Sequence, residues 1–305
     1  MKSYSLNEYQ AQGKCVCALG CFDGVHVGHA ALINEAKRVA NRLSLPTLVW
    51  SFSEPPKNFF LKDKVPLLTT SEEKRLQMRR IGADVFISVP FDKSISSLSA
   101  EDFFKSILQE KINASHIVCG FNYRFGKGGA GDTRLLEELC KKHGIGLSVI
   151  PAVTIGDTTV SSTEIRQALE SGNVEKASAL LGRPYSLRAK IVDGQRLGRR
   201  LGFPTINQSF PEGKLVVKCG VYVTKVTFGK TRRYGITNVG VRPTVDGQHL
   251  CAETNIFDFD GDLYGKTVTV EFLKFLRPEK KFSSVDELMA QVHSDIAKAK
   301  SIISK

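Results

Sequence analysis

Short apolar runs alternate with longer stretches of helical spacing through the first half of the chain. Residues 16–19, 47–52, 85–89, 116–119 and 147–149 are rich in β-branched and apolar side chains and have strand length. Between them, 30–43, 71–81, 100–109 and 133–143 carry apolar residues three and four apart, which predicts helices. Ser71, with Glu73 and Lys74 close behind, marks one helix start. Strands that alternate with helices predict a parallel sheet covered on both faces.

A short helical pair, 163–170 and 174–181, closes this half, and Gly182-Arg183-Pro184 ends it. The pattern then changes. Residues 187–192, 220–227, 233–238, 251–257 and 267–275 read as strands joined by Gly, Asp and Pro with no helices between them. That predicts an antiparallel sheet or small barrel. The Asp258-Phe-Asp-Gly-Asp262 stretch reads as a hairpin turn. Val285, Leu288, Met289, Val292, Ile296 and Ala299 recur at helical spacing and predict one terminal helix over 284–303, its apolar stripe turned to the core. The expected organisation is α/β plus β in two domains. Residues 1–182 form a Rossmann-like unit on a parallel sheet, and 183–305 form a small antiparallel β-barrel with a terminal helix.

Composition narrows the setting. With 42% hydrophobic and 24% charged residues over 305 positions, the chain is globular. No apolar run nears the roughly 18 residues of a membrane span. The polar first twelve residues lack the apolar core of a signal peptide. The seven cysteines make no C-x-x-C pair, which suits free thiols in a reducing cytosol, so a cytoplasmic protein is expected. The net charge of +12 divides into +3 before Gly182 and +9 after it. Such a surplus suits anionic partners such as nucleotides. No RNA-binding signature accompanies it, so neither a nucleic-acid nor a membrane partner is expected.

The chemistry is densest at Gly20-Cys-Phe-Asp-Gly-Val-His-Val-Gly-His29. A strand ending in a glycine-lined turn that opens a helix offers backbone N–H groups and a helix dipole to phosphate. His26 and His29 add donors able to follow charge developing on a phosphate in a transition state, which points to nucleotidyl transfer. In Val160-Ser-Ser-Thr-Glu-Ile-Arg166, the hydroxyls of Ser161, Ser162 and Thr163 precede a helix carrying Arg166 one turn in. These too can hold triphosphate oxygens, or simply cap the helix. Gly126–Gly131 formally matches G-x-G-x-x-G but does not directly follow a strand, and no Walker-type phosphate loop is present.

In the second half, Gly202-Phe-Pro-Thr-Ile-Asn207 places Thr205 and Asn207 two apart on an extended segment, so both face one way. Oxygen ligands of this kind suit Mg²⁺ held mainly through nucleotide phosphates. Residues 194–201, with Arg196, Arg199 and Arg200, read as a flap over phosphates or as a solvated basic loop. Glu253, within a strand, pairs with a cation or acts on a substrate proton.

These segments together resemble the bacterial bifunctional riboflavin kinase/FAD synthetase family. The resemblance rests on G-x-F-D-G-V-H-x-G-H, Gly120-Phe-Asn-Tyr-Arg-Phe-Gly-Lys127 and S-S-T-x-I-R in the first half. In the second it rests on G-F-P-T-x-N, Thr237-Asn-Val-Gly-Val-Arg-Pro-Thr244, E-T-x-I-F-D-F and Leu276-Arg-Pro-Glu-Lys-Lys-Phe282. It implies that the first half transfers AMP from ATP to FMN, giving FAD and pyrophosphate, and that the second phosphorylates riboflavin to FMN, both with Mg²⁺. By resemblance His26 and His29 contact ATP phosphates, and Gly20, Asp23, Gly24 and Gly28 shape their turn. Ser161, Ser162, Thr163 and Arg166 line the phosphate site, and Asn122 lies near the substrates. Thr205 and Asn207 hold Mg²⁺ and ATP beside Gly202, Arg242 contacts substrate, and Glu253 is the general base. The chain departs from the family pattern at Glu54, commonly Pro, at Thr159, often basic, and at Ile206, usually Ala.

Overall fold

The structure is a computed structural model that describes residues 1–192, 201–244 and 247–304, with the side chains of 242–249 outside that description. The chain forms two compact units, Met1–Ser162 and Thr163–Lys305.

The first unit is built on six parallel strands: β1 (Lys2–Ser5), β2 (Cys15–Gly20), β3 (Thr47–Phe52), β4 (Val85–Val89), β5 (Ala114–Gly120) and β6 (Gly146–Ile150). Their order is β1-β4-β3-β2-β5-β6. Central β2 and β3 are buried almost end to end, which explains their continuous apolar runs. β1 escaped the sequence pattern because it is short and polar, a composition tolerated only at a sheet edge, here against β4.

Helices α1 (Val27–Leu43), α2 (Ser71–Ile81) and α3 (Thr133–His143) cover this sheet. Ile33, Ala36 and Val39 of α1 pack with Met78 of α2 against Val16, Ala18 and Val49. Leu136 and Cys140 of α3 pack on the other face with Phe103, Phe104 and Leu108. The cap of α2 is Thr70, one residue ahead of the expected Ser71; its hydroxyl accepts from Glu73 N and the Glu73 carboxylate accepts from Thr70 N. The helix expected over 100–109 is a single α-turn, Ala100–Asp102, running into a π-helical stretch, Phe103–Lys111. Gly126–Gly131 is a loop around the 3₁₀ turn Lys127–Gly129, pinned by a Phe125–Gly131 bridge.

From β2 the chain order runs outward to β3 and β4 on one side, while β5 and β6 lie on the other. The helical connections therefore diverge at the carboxyl ends of β2 and β5, where an open α/β sheet leaves a crevice.

Two further short strands, β7 (Thr154–Ile155) and β8 (Thr158–Thr159), form a hairpin ahead of α4 (Ser162–Ser171) and α5 (Val174–Leu181). The division of units falls at the start of α4, ahead of the cut expected at Gly182. Lys218 N donates to Leu169 O of α4, tying these helices to the second unit.

That unit is an antiparallel sheet of β9 (Tyr185–Lys190), β10 (Thr205–Ser209), β11 (Gly220–Phe228), β12 (Thr231–Thr244), β13 (Gly247–Ile256) and β14 (Thr267–Arg277). The order is β10-β13-β12-β11-β14-β9. The buried Gln208 of β10 donates through Nε2 to Ala189 O (2.8 Å) and Val268 O (2.9 Å), which joins the two edges and curls the sheet into a barrel. Thr224, Thr237 and Thr254 link across β11, β12 and β13 by hydroxyl bonds of 2.9 and 2.8 Å. The Asp258–Asp262 stretch is not the expected hairpin turn. It leads from β13 to β14, which are separated in the sheet by β12 and β11. Its acidic residues mark a surface loop, and a turn signal carries no information on which strands pair. The last helix, α6 (Val285–Ile303), is capped by Ser284 and lays Val292, Ile296 and Ala299 against Val221, Val223 and Ile236.

Candidate active site

The crevice of the first unit is a cleft of about 360 Å³. Gly20 and Cys21 follow β2; Gly120, Phe121 and Asn122 follow β5; Phe52 ends β3; His26, Gly28 and His29 open α1; Ser161 and Ser162 close it. Residues from four sequence-derived segments, 20–29, 47–52, 120–127 and 160–166, thus meet at one end of one sheet.

His26 is both a cleft residue and the N-cap of α1. It is 7% exposed, and its Nδ1 accepts from His29 N at 3.2 Å. A cap that accepts through Nδ1 carries the ring proton of its neutral form on Nε2, which makes Nε2 a donor. The His26 and His29 rings stack at 3.5 Å between centroids and 15° between planes. Phe22 lies edge-on to His29 at 5.1 Å. The glycines make room for these rings: a Cβ on Gly20 would meet the Phe22 ring at 3.0 Å, and one on Gly28 would meet the His26 ring at 3.2 Å. The turn is also strained, for Phe22 and Val25 have φ of 53° and 43°. Such conformations cost about 1–3 kcal/mol each and persist where surrounding contacts over-determine them.

Those contacts come from outside the cleft. The Asp23 carboxylate accepts from Leu68 N (3.0 Å) and Thr69 N (3.2 Å), and Gly24 N donates to Thr69 Oγ1. Asp23 and Gly24 therefore hold the turn from behind and are not part of the cleft wall. Ser162 Oγ donates to Asp23 O at 2.9 Å. Asn122 is exposed at the rim, beside Phe121. Thr163 is exposed and Arg166 buried on α4, within the second unit. Glu54 pairs with Lys64 at 3.1 Å on the surface.

In the second unit, Asn207 of β10 stands opposite Glu253 of β13, and Glu253 opposite Asn238 of β12. Directly paired residues present their side chains on one face. All three line a cavity of about 340 Å³ that α6 covers with Leu288, Met289 and Val292. Arg277 of β14 and Asp295 of α6 close one side: Arg277 donates from Nε (2.9 Å) and Nη2 (2.8 Å) to Asp295 Oδ2. At the start of α6, Lys280 and Ser283 hold the Glu287 carboxylate well below its ordinary range, at about 2. Sequence reasoning missed Asn238, Arg277 and Asp295 as cavity residues, although the first two lay inside quoted motifs; their role needed the strand register.

A second cavity, about 670 Å³, is lined by Asp260, Asp262 and Tyr264 of the β13–β14 loop and by Thr205, Ile206 and Asn207. Thr205 and Asn207 line both cavities; Glu253 lines only the first. Asn207 is buried, and its Oδ1 has no hydrogen-bond partner among the described residues. Ile206 packs with Ile191, Val226 and Ile256, and with Ile191 and Ile256 it also lines the second cavity. Gly202 is an exposed turn residue with φ of 82°. Arg242 lies on β12 with its side chain outside the described residues, and the basic stretch with Arg196, Arg199 and Arg200 also lies outside them.

Residues 8–164 match the family model described as FAD synthetase, and residues 181–303 match that described as riboflavin kinase. The bifunctional riboflavin kinase/FMN adenylyltransferase of Escherichia coli (strain K12) is 35% identical over 294 residues, covering 96% of this chain and 93% of the relative. The protein of the same description from Bacillus subtilis (strain 168) is 35% identical over 292 residues, covering 94% and 92%. A crystal structure from Streptococcus pneumoniae, described as a macrolide-efflux protein, is similar with a TM-score of 0.90 at 31% identity, covering 98% of this chain and 99% of that one. Among the described residues no helix is long and apolar enough to cross a membrane.

Proposed function

Because the chain belongs to the bifunctional riboflavin kinase/FMN adenylyltransferase family, we propose how its two units divide the two reactions. The enzyme phosphorylates riboflavin with ATP to give FMN and ADP, then adenylylates FMN with ATP to give FAD and pyrophosphate. Residues 1–182 are assigned to adenylyl transfer and 183–305 to phosphorylation; the family matches leave α4 and α5 largely between them.

The observation that carries the kinase assignment is the wall shared by the two cavities. Thr205 and Asn207 line both, whereas Glu253 lines only the first. We assign riboflavin to the Glu253 cavity and ATP to the other, so that transfer takes place across Thr205 and Asn207. Glu253 takes the proton of the ribityl 5′-hydroxyl as that oxygen attacks the γ-phosphorus and ADP leaves. Mg²⁺ fits Thr205 and Asn207: both offer hard oxygens, and the buried Asn207 Oδ1 lacks a partner among the described residues. When bound, the ion neutralises phosphate charge. Asn238 and Arg277 border the riboflavin cavity, and Arg242 is kept as a substrate contact.

In the first unit, a phosphate oxygen of FMN attacks the α-phosphorus of ATP, and pyrophosphate leaves. His26 and His29 donate to the phosphates, with the Gly28 backbone and the Ser161 and Ser162 hydroxyls beside them. Asn122 orients substrate at the rim. For Thr163 and Arg166 the phosphate role rests on the resemblance alone. The protein makes no covalent bond; it aligns two anions and offsets their repulsion. We place the enzyme in the cytoplasm, a reading supported by its seven free cysteines.

A chromatographic time course with riboflavin, ATP and Mg²⁺ tests this. FMN should accumulate first and FAD follow. Neither product should form without Mg²⁺. FMN that never becomes FAD would refute the adenylyltransferase assignment, and FAD formed only from added FMN would refute the kinase.

A further inference from the structure

Lys74 is a cation the two reactions do not use, and it is 2% exposed in the middle of the first unit. It projects from the first turns of α2. Its Nζ donates to Phe52 O at 2.7 Å and Cys21 O at 3.1 Å, with Ser53 O and Ser51 Oγ both at 3.4 Å. Cys21 begins the strained turn that leads to His26; Phe52 ends β3. Cys21 and Phe52 both line the cleft.

The β2–β3 pairing ends at Gly20 and Ser51, and past it the carbonyls of Cys21 and Phe52 accept from side chains: Ser51 Oγ lies 2.8 and 3.0 Å from them, a hydroxyl with one proton for two acceptors. One ammonium group, with three N–H donors, serves both chain ends at once. Burial pushes the Lys74 ammonium below its ordinary pKa, with Cys21 and Asp23 opposing that fall. An interior cation is costly where an apolar side chain would fill the same space, so packing alone does not account for a lysine here.

We propose that Lys74 is a positioning residue for adenylyl transfer, fixing the phosphate-binding turn relative to the end of β3. The proposal rests on the reading of this cleft as the adenylyltransferase site. The second attachment of the same turn, Asp23 to Leu68 and Thr69, comes from the loop that leads into α2. Helix α2, through Lys74, and the loop before it, through Leu68 and Thr69, thus both hold the histidine turn. Displacing reacting groups by about 1 Å costs roughly 10²-fold in rate, so loss of one attachment should appear in turnover.

The test uses the full chain with Lys74→Met and Lys74→Gln. Methionine matches the volume without a donor; glutamine is shorter but keeps N–H donors. Trp50, the chain's single tryptophan, is buried in β3 next to Ser51, so its fluorescence reports folding of this unit. FAD formation from FMN and ATP, with kcat and KM separated, reads the cleft; FMN formation from riboflavin reads the other unit.

With the Trp50 melt retained, kcat/KM for FAD formation should fall about 10²-fold in Lys74→Met and distinctly less in Lys74→Gln, with FMN formation unchanged. Activity that instead follows the order of melting temperatures, or wild-type activity in Lys74→Met, would overturn the proposal. Should Lys74→Met fail to fold, Lys74→Leu, which also lacks a donor, replaces it: reduced kcat/KM with an intact melt supports the role, and wild-type activity removes it. Wild-type protein that makes no FAD from added FMN would overturn the underlying reading of the cleft and the Lys74 role with it.

Discussion

Asn207 and Glu253 stand directly opposite each other on β10 and β13, and only Asn207 of the two also faces the neighbouring cavity. One strand pair thus presents a candidate base and a candidate metal and phosphate ligand side by side. Glu253→Gln preserves shape and removes basicity. FMN formation should lose about 10²–10⁴-fold in kcat, with little change in the KM for riboflavin. FAD formation from added FMN should be untouched, and an equal loss in both assays would contradict the separation of sites.

His26 caps α1 and, in the proposed site, also donates to phosphate, whereas His29 has only the second, proposed role. His29→Ala should lower kcat for FAD formation by about 10²–10³-fold, the usual loss of one transition-state donor. His26→Ala should do the same and also lower the stability of the first unit by about 1 kcal/mol, because its Nδ1 caps α1. Trp50 melting curves of the two variants should differ accordingly. Equal stability would show that the cap bond contributes nothing.

The Arg277–Asp295 pair fastens α6 to β14 beside the cavity proposed for riboflavin, and Gln291 Nε2 donates to the same carboxylate at 3.0 Å. Asp295 is 4% exposed, whereas the Arg277 side chain is 21% exposed. Asp295→Ala should cost on the order of 2–3 kcal/mol, less than the roughly 3–5 kcal/mol of a fully buried broken pair because Arg277 reaches water. Amide hydrogen exchange in α6 should rise, and the KM for riboflavin should rise with it. Unchanged exchange would mean that apolar packing alone seats the helix.

Burial pushes the thiols of Cys15, Cys119 and Cys140 up from 9.0 to about 12. The folded state therefore holds these protons above the pH at which the unfolded chain releases them. Their contribution to stability is complete below pH 9.0 and is lost progressively as pH rises from there towards about 12. Lys74, shifted downward, works in the opposite sense, so comparison with a variant isolates the thiols. The urea midpoint followed at Trp50 should fall less steeply between pH 9 and 11 in Cys15→Ala than in wild type. Parallel slopes would exclude the thiols as the cause.

Much of the architecture was legible because each element announces itself locally. The apolar run at 47–52, the helical spacing at 133–143 and the Ser284 start of the last helix need only their own residues to be read. The short polar β1 carried no such signal, and 202–207 read only as an extended segment; each is a strand because of the neighbour it pairs with. The π-helical turn at Phe103–Lys111 has the spacing of an ordinary helix, and the strand order past Asp258 cannot be inferred from a turn.

The sequence by itself determined which residue types were available for chemistry: two histidines around a glycine, hydroxyls before a helix, a threonine and an asparagine two apart, a glutamate in a strand. These are local patterns, set by helix and strand periodicity. Only the tertiary structure decided that the Asp23 carboxylate accepts from Leu68 and Thr69, and that Lys74 reaches the ends of two strands. It also decided that Thr205 and Asn207 form a wall between two cavities. The reason is physical: a side chain's partners are fixed by strand order, register and burial, and these depend on residues distant in the chain that no local spacing encodes.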